Sequence, residues 1–172
     1  MIGVAIKEAR EERGMTQQQL GQVSFLSDKM ISAVETGRRS LTKETSKIIC
    51  KKLNNPRVYF EMAGEITGDV FNLNWLDGEA ADLHRAAVRE KVIEELGEAV
   101  QAITIVKTYK NPKTCSGKDI EDITKSIQEA IDVYNASAIY ISVMCTEFNL
   151  DIKEMFRLQK EKLINRGYLI GK

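Results

Sequence analysis

The 172-residue chain is 43% apolar, 29% charged and 6% aromatic, with only two prolines, a balance that excludes disordered, collagen-like and membrane-embedded classes. Its 25 basic and 25 acidic residues cancel, which taken whole argues against a polyanionic partner. The cancellation is uneven: residues 1–57 carry eleven Lys/Arg against six Asp/Glu, and residues 58–172 carry fourteen against nineteen, so a basic front is joined to an acidic back.

Long stretches rich in Ala, Leu, Ile, Glu, Lys and Gln predict helix nearly throughout, with breaks at Pro56 and Pro112. The first helix is expected from Ile2 to Arg13, ending at Gly14. Thr16-Gln17-Gln18-Gln19 reads as a capping box that starts a short second helix ending near Val23. Ser27 caps a third helix from Asp28 to Thr36, stopped at Gly37, and Thr42 opens a fourth that ends at Asn54-Asn55-Pro56. From Arg57 to Asp82 the pattern is less regular: a short helix over Tyr59–Ile66 closed at Gly68, an extended Phe71–Trp75, and a turn at Asp77-Gly78. This connection carries the only tryptophan and should be packed rather than free. A long helix is expected from Glu79 to Tyr109, with an apolar stripe at 88, 92, 96, 99, 103 and 106. After a Lys110–Lys118 loop, a second runs from Asp119 to Phe148. Its apolar residues at 127, 131, 134, 138, 141 and 145 alternate steps of four and three, a bundle pattern. Ala136, Ile139 and Val143 form a second stripe on it, which calls for cover on two sides. A last helix spans Ile152–Asn165, closed by Gly167.

Two short helices, a tight turn and a helix opening on small polar residues, all in the basic third, are what a major-groove reader needs. The runs Ala9-Arg10-Glu11-Glu12-Arg13-Gly14-Met15-Thr16-Gln17-Gln18-Gln19-Leu20 and Ile31-Ser32-Ala33-Val34-Glu35-Thr36-Gly37-Arg38-Arg39 strongly resemble the Xre (Cro/C1-type) helix-turn-helix repressor family over residues 2–54. The resemblance implies a lambda-repressor-like domain, double-stranded DNA as partner, and a homodimer. Gln17 looks like the family's phosphate-contacting and helix-bracing glutamine, and free N–H groups at a helix start favour an anion in any case. Ser27, Asp28, Lys29, Met30, Ser32 and Ala33 fall on the cap and first turns of the recognition helix, where Lys29 could donate to guanine and Asp28 accept from cytosine. Arg10 and Glu35 match the family's buried ion pair. Arg38, Arg39 and Lys43 would sit against the DNA backbone, giving affinity without sequence information. Two residues depart from the family pattern: Gly21 replaces the usual alanine, and Phe25 replaces the turn glycine, where a left-handed conformation would cost roughly 1–2 kcal/mol.

In the back half, Glu94, Glu95 and Glu98 form EExxE on the first long helix, and Glu129 with Asp132 form ExxD on the second. At 100° per residue the three glutamates share an arc of about 100° beside the apolar stripe. Carboxylates continuing an apolar face are costly to bury unless a cation meets them, and magnesium takes such oxygen ligands. The pairing, with the basic tail Lys160–Gly167, resembles the all-α MazG-like nucleoside triphosphate pyrophosphohydrolases. That implies magnesium on Glu95, Glu98, Glu129 and Asp132, a nucleotide or other small-molecule ligand, and pyrophosphate release. The thirty residues between Glu98 and Glu129 exceed the family's usual spacing. A helical dimerisation module with solvated glutamates is the other reading, and it leaves the enzyme question open.

The expected architecture is all-α: a helix-turn-helix domain over 1–57, a packed connection over 58–78, and a bundle of long antiparallel helices over 79–172. No run of 18 apolar residues and no signal-like start is found, so the expected location is the cytoplasm, with no membrane partner. Three cysteines far apart and outside CxxC spacing indicate neither a disulfide framework nor a zinc site. Cys50 and Cys145 read as core residues, and His84 as a cap or packing residue.

Overall fold

The computed structural model describes residues 2–68, 70–71, 73–76, 78 and 81–170, and among these every regular element is helical. The helices are α1 (Ile2–Glu12), α2 (Gln17–Ser24), α3 (Asp28–Glu35), α4 (Lys43–Leu53), α5 (Pro56–Thr67), α6 (Arg85–Ile105), α7 (Gly117–Glu147) and α8 (Ile152–Asn165), with a 3-10 turn at Pro112–Thr114. No described helix is long and apolar enough to cross a membrane.

The chain divides into two compact units, one of Met1–Leu73 with Cys145–Lys172 and the other of Asn74–Met144. This division differs from the expected segments 1–57, 58–78 and 79–172, because the last helix packs on the front of the molecule. Ile152 is buried, and the Lys153 ammonium lies 5.6 Å from the centre of the Tyr59 ring. A cation over an aromatic face is attracted by the ring quadrupole, and the lysine stem covers apolar surface on the way.

In the first unit, local chemistry sets the helix ends. Thr16 accepts the Gln19 N–H and the Gln19 side chain accepts the Thr16 N–H, closing the capping box. Ser27, Thr42 and Asn55 cap α3, α4 and α5, and Gly68 (φ 64°) closes α5. Pro56 therefore starts a helix as well as ending one, since its missing N–H is not needed in a first turn. The helices bury Ile6, Leu20, Ile31, Ile49, Leu53 and Val58 completely. α1 crosses α3 at Gly3, where a Cβ would meet the Val34 carbonyl oxygen at 2.4 Å, so the crossing admits no side chain.

In the second unit, α6 starts at Arg85 rather than Glu79, because His84 caps it: the ring Nδ1 accepts the Ala86 N–H at 3.3 Å. It ends at Ile105 rather than Tyr109, after a β-branched run Ile103-Thr104-Ile105-Val106 that loses rotamer freedom in a helix. α7 starts two residues before the expected Asp119, behind a Ser116–Asp119 exchange in which each residue's side chain accepts the other's N–H. Lys110 closes the connecting loop by pairing with Asp119 at 2.6 Å. Reciprocal bonds join the Asn74 backbone and the Asn135 amide, and Trp75 is half-buried. Residues 73–76 form no strand; Asn72, Asp77 and Glu79, on which parts of the extended run, the turn and the helix start were placed, lie outside the described residues.

The two expected stripes of α7 fare differently. Ala136, Ile139 and Val143 are buried, whereas the other stripe splits, with Ala138 and Cys145 buried and Ile127, Ile131 and Tyr134 exposed; on α6 Val88 and Ala99 of the expected stripe are buried and Leu96 and Ile103 exposed. Periodicity locates an apolar face but does not say that anything within one chain covers it.

Candidate nucleic-acid interface

α2 and α3 are joined by Phe25-Leu26-Ser27. Phe25 takes the left-handed conformation (φ 60°, ψ 33°) that a glycine would fill more easily, and its side chain stays 84% exposed. The turn thus keeps a glycine-like geometry at some backbone cost. The glycine at position 21 is required, because a Cβ there would meet the Leu26 carbonyl oxygen at 2.6 Å, so that even alanine would clash.

α3 is fixed from behind by a buried polar network. Arg10 on α1 donates to both Glu35 oxygens, Nε to Oε1 at 2.6 Å and Nη2 to Oε2 at 3.1 Å. Its Nη1 donates to the Met15 carbonyl at 2.7 Å, tying down the turn into α2. The Gln17 amide donates to Glu35 Oε2 at 2.8 Å, so the first residue of α2 is braced directly to the end of α3. A bidentate arginine–carboxylate pair is both strong and directional. Donation to the Glu35 carboxylate raises the Arg10 pKa above its ordinary value. The expected ion pair and the bracing role of Gln17 are both present in this geometry.

The outward side of α3 carries the expected reader residues. Ser27, Asp28 and Lys29 are exposed, Ser32 and Ala33 are half-buried, and Met30 lies partly against the core. The Ser27 hydroxyl accepts the Met30 N–H, and an Asp28 carboxylate oxygen accepts the Lys29 N–H at 2.8 Å, which turns that carboxylate toward its own helix start. Beyond α3, Arg38, Arg39 and Lys43 are exposed. Both arginine N–H groups donate to the Ala33 carbonyl, and Arg38 Nε donates to the Thr36 hydroxyl at 2.9 Å. Thr36 was not foreseen as an orienting residue; the only signal for it is a hydroxyl two residues before an arginine at a helix end.

The acidic residues of the second unit assemble in part. Ligand oxygens of Glu95, Glu129 and Asp132 lie within 4.8 Å of one another, which brings α6 beside α7. The expected fourth ligand, Glu98, is exposed and outside this group, and Glu94 pairs with Lys91 at 3.3 Å. The Lys91 ammonium also reaches Glu95 at 2.7 Å, supplying a cation to the most buried of the three. A cavity of about 320 Å³ lies alongside, with Val88, Ala136 and Ile139 in its wall and Lys91 and Glu94 on its polar side. Val88 facing Ala136 and Ile139, and Glu95 facing Glu129 and Asp132, make α6 and α7 antiparallel.

Residues 6–60 match the family model described as Helix-turn-helix. No curated protein and no solved structure matches the chain. The match ends at residue 60, so the MazG-like likeness of the back half gains nothing from it.

Proposed function

We propose, from the premise that residues 6–60 form a helix-turn-helix domain, that the chain is a sequence-specific transcriptional regulator of the repressor type that binds double-stranded DNA as a homodimer. The observation that carries this reading is the exposed start of α3, held rigid from behind by the Arg10–Glu35–Gln17 network. In this reading Lys29 donates to base edges in the major groove, with Ser27 and Asp28 beside it. Arg38, Arg39 and Lys43 supply phosphate contacts whose strength falls with salt. One short helix reads only a few base pairs, and two copies on a two-fold site double the reading.

Selection from random duplexes tests the reading. One sequence class should be enriched. Lys29→Ala should relax the preference at a base position with a loss of about 1–3 kcal/mol, and Arg38→Ala should weaken all sequences and reduce the salt slope by about one. Absence of any enriched sequence, or binding and salt slope unmoved by both substitutions, overturns it.

A second reading rests on Glu95, Glu129 and Asp132 sharing one site. Three carboxylates fit a magnesium ion, which keeps waters and takes few protein ligands. Magnesium bound there would supply Lewis-acid activation of a water for pyrophosphate release from a nucleoside triphosphate. The Lys91 ammonium, 2.7 Å from Glu95, orients that carboxylate. A panel of nucleoside triphosphates with magnesium is the test: no pyrophosphate, or release unaltered by Glu95→Ala with Asp132→Ala, sinks it.

A further inference from the structure

α5 and α8 enclose an apolar trough within the first unit. A cavity of about 290 Å³ is walled by Tyr59, Phe60 and Ala63 of α5 and by Ile152, Lys153 and Phe156 of α8. At 100° per residue, the small Ala63 lies between Tyr59 and Phe60 on the α5 face, so the side chains of that face leave room between them. Ile152 is buried and Phe156 is 54% exposed, so the trough opens to solvent at Phe156. The Tyr59 hydroxyl donates to Asn54 Oδ1 at 3.3 Å, which satisfies the polar end of that residue and leaves its ring as wall. Concave, mostly apolar space with a few polar groups at its edge is the usual form of a small-molecule site.

The charge around the trough has one sign. On α8, Lys153 and Lys160 lie about 60° and 40° to one side of Phe156, whereas Glu154 and Glu161 are about 160° and 140° away. On α5, Glu61 and Glu65 are both about 160° from Ala63. The two α8 glutamates are also taken up by Arg157, and among the described residues neither Lys153 nor Lys160 has an ion pair. The Lys153 ammonium lies instead over the Tyr59 ring, 5.6 Å from its centre, in the wall of the trough. A carboxylate beside it would gain a charge-assisted hydrogen bond in surroundings drier than bulk water, while its apolar body filled the trough. A neutral ligand would leave the ammonium without that partner, and a cationic one would be repelled.

We propose that the α5–α8 trough is a binding site for a small amphipathic organic anion, an aliphatic or aromatic carboxylate of about ten non-hydrogen atoms at roughly 30 Å³ each. Lys153 takes its carboxylate, Lys160, one turn beyond Phe156, adds to the field, and the three aromatic rings hold its body. None of the proposed reader residues takes part, so the site stands or falls independently of DNA binding.

Octanoate is a probe of that size. Titration calorimetry of the full chain should show one saturable octanoate site per chain with a roughly millimolar Kd, and octanoate should raise the Tm. Octylammonium, the same body with the opposite charge, should bind about tenfold more weakly. Lys153→Met with Lys160→Met should erase that preference. Ala63→Leu, which fills the trough with a good helix former, should weaken octanoate about tenfold. The proposal is overturned by the absence of a saturable site up to about 20 mM octanoate, or by equal binding of the two probes to the wild type. Octanoate binding unchanged in a folded Ala63→Leu chain also overturns it, by placing the probe on other exposed apolar surface. If Ala63→Leu does not fold, the lysine variant decides, since both its positions are exposed, and a preference for octanoate that survives in it overturns the proposal. A chain that binds vesicles of anionic phospholipid but not octanoate has its trough on a membrane surface, which overturns it as well.

Discussion

Arg10 on α1 and Glu35 at the end of α3 share two hydrogen bonds of 2.6 and 3.1 Å, with both residues buried. The pair joins α1 to α3, the helix that carries the proposed reader residues. Removing one partner leaves an uncompensated buried charge, so Glu35→Ala should destabilise the fold by about 3–5 kcal/mol. Replacing both with apolar residues of similar volume should be much milder. Urea unfolding of the two single variants and the double variant measures this, and single variants as stable as the double would contradict it.

Phe25 occupies a left-handed conformation with its ring in solvent. Substituting glycine removes the steric penalty, roughly 1–2 kcal/mol, and returns part of it as unfolded-state entropy, roughly 0.5–1 kcal/mol. Phe25→Gly should therefore raise stability by about 0.5–1 kcal/mol, and Phe25→Ala should not. Thermal unfolding of the two variants side by side decides the sign. At the neighbouring Gly21 the change runs the other way, since alanine must displace the Leu26 carbonyl.

The Lys110 ammonium, followed by the Ser116 hydroxyl and N–H, holds the Asp119 carboxyl well below the usual carboxylate range. A lowered folded-state pKa means that the folded chain favours the ionised form. The stabilisation is therefore complete above the unfolded value of about 3.9 and is lost as pH falls below it. The Tm difference between wild type and Asp119→Asn should be constant from pH 7 to 5 and shrink between pH 4 and 2. A gap that stays level to pH 2 would show that the pair has no such role.

All three thiols are free, but only Cys115 is partly accessible. Burial pushes the Cys50 thiol up to about 11, and burial, with Asp151 nearby, raises Cys145. Since the thiolate is the reacting form, a disulfide reagent at pH 8 should modify one thiol per chain quickly and the other two only on unfolding. Cys115→Ser should abolish the fast phase; a fast phase that survives it would place the reactive thiol elsewhere.

The parts of this molecule legible in the sequence are those whose cause is local. Thr16 with Gln19, Ser27, Thr42 and Asp151 cap helices because a side chain two or three residues away satisfies a backbone N–H, and such spacing is visible in a string of letters. The Arg10–Glu35 pair was legible only through resemblance, since 25 residues separate its members. Glu95 gathers with Glu129 and Asp132 and Glu98 does not, a distinction the sequence does not carry: residues three apart on a helix share an arc, and only the partner helix selects among them.

What the sequence determined alone was an all-helical chain with a basic helix-turn-helix front and an acidic back, because period, caps and charge are properties of neighbours along the chain. Tertiary structure decided which apolar faces are buried. It covers Ile139 and Val143 and leaves Ile127 and Ile131 open, although all four belong to regular apolar stripes on one helix. Burial depends on what lies across the face, and a helix carries no record of its neighbour in its own periodicity.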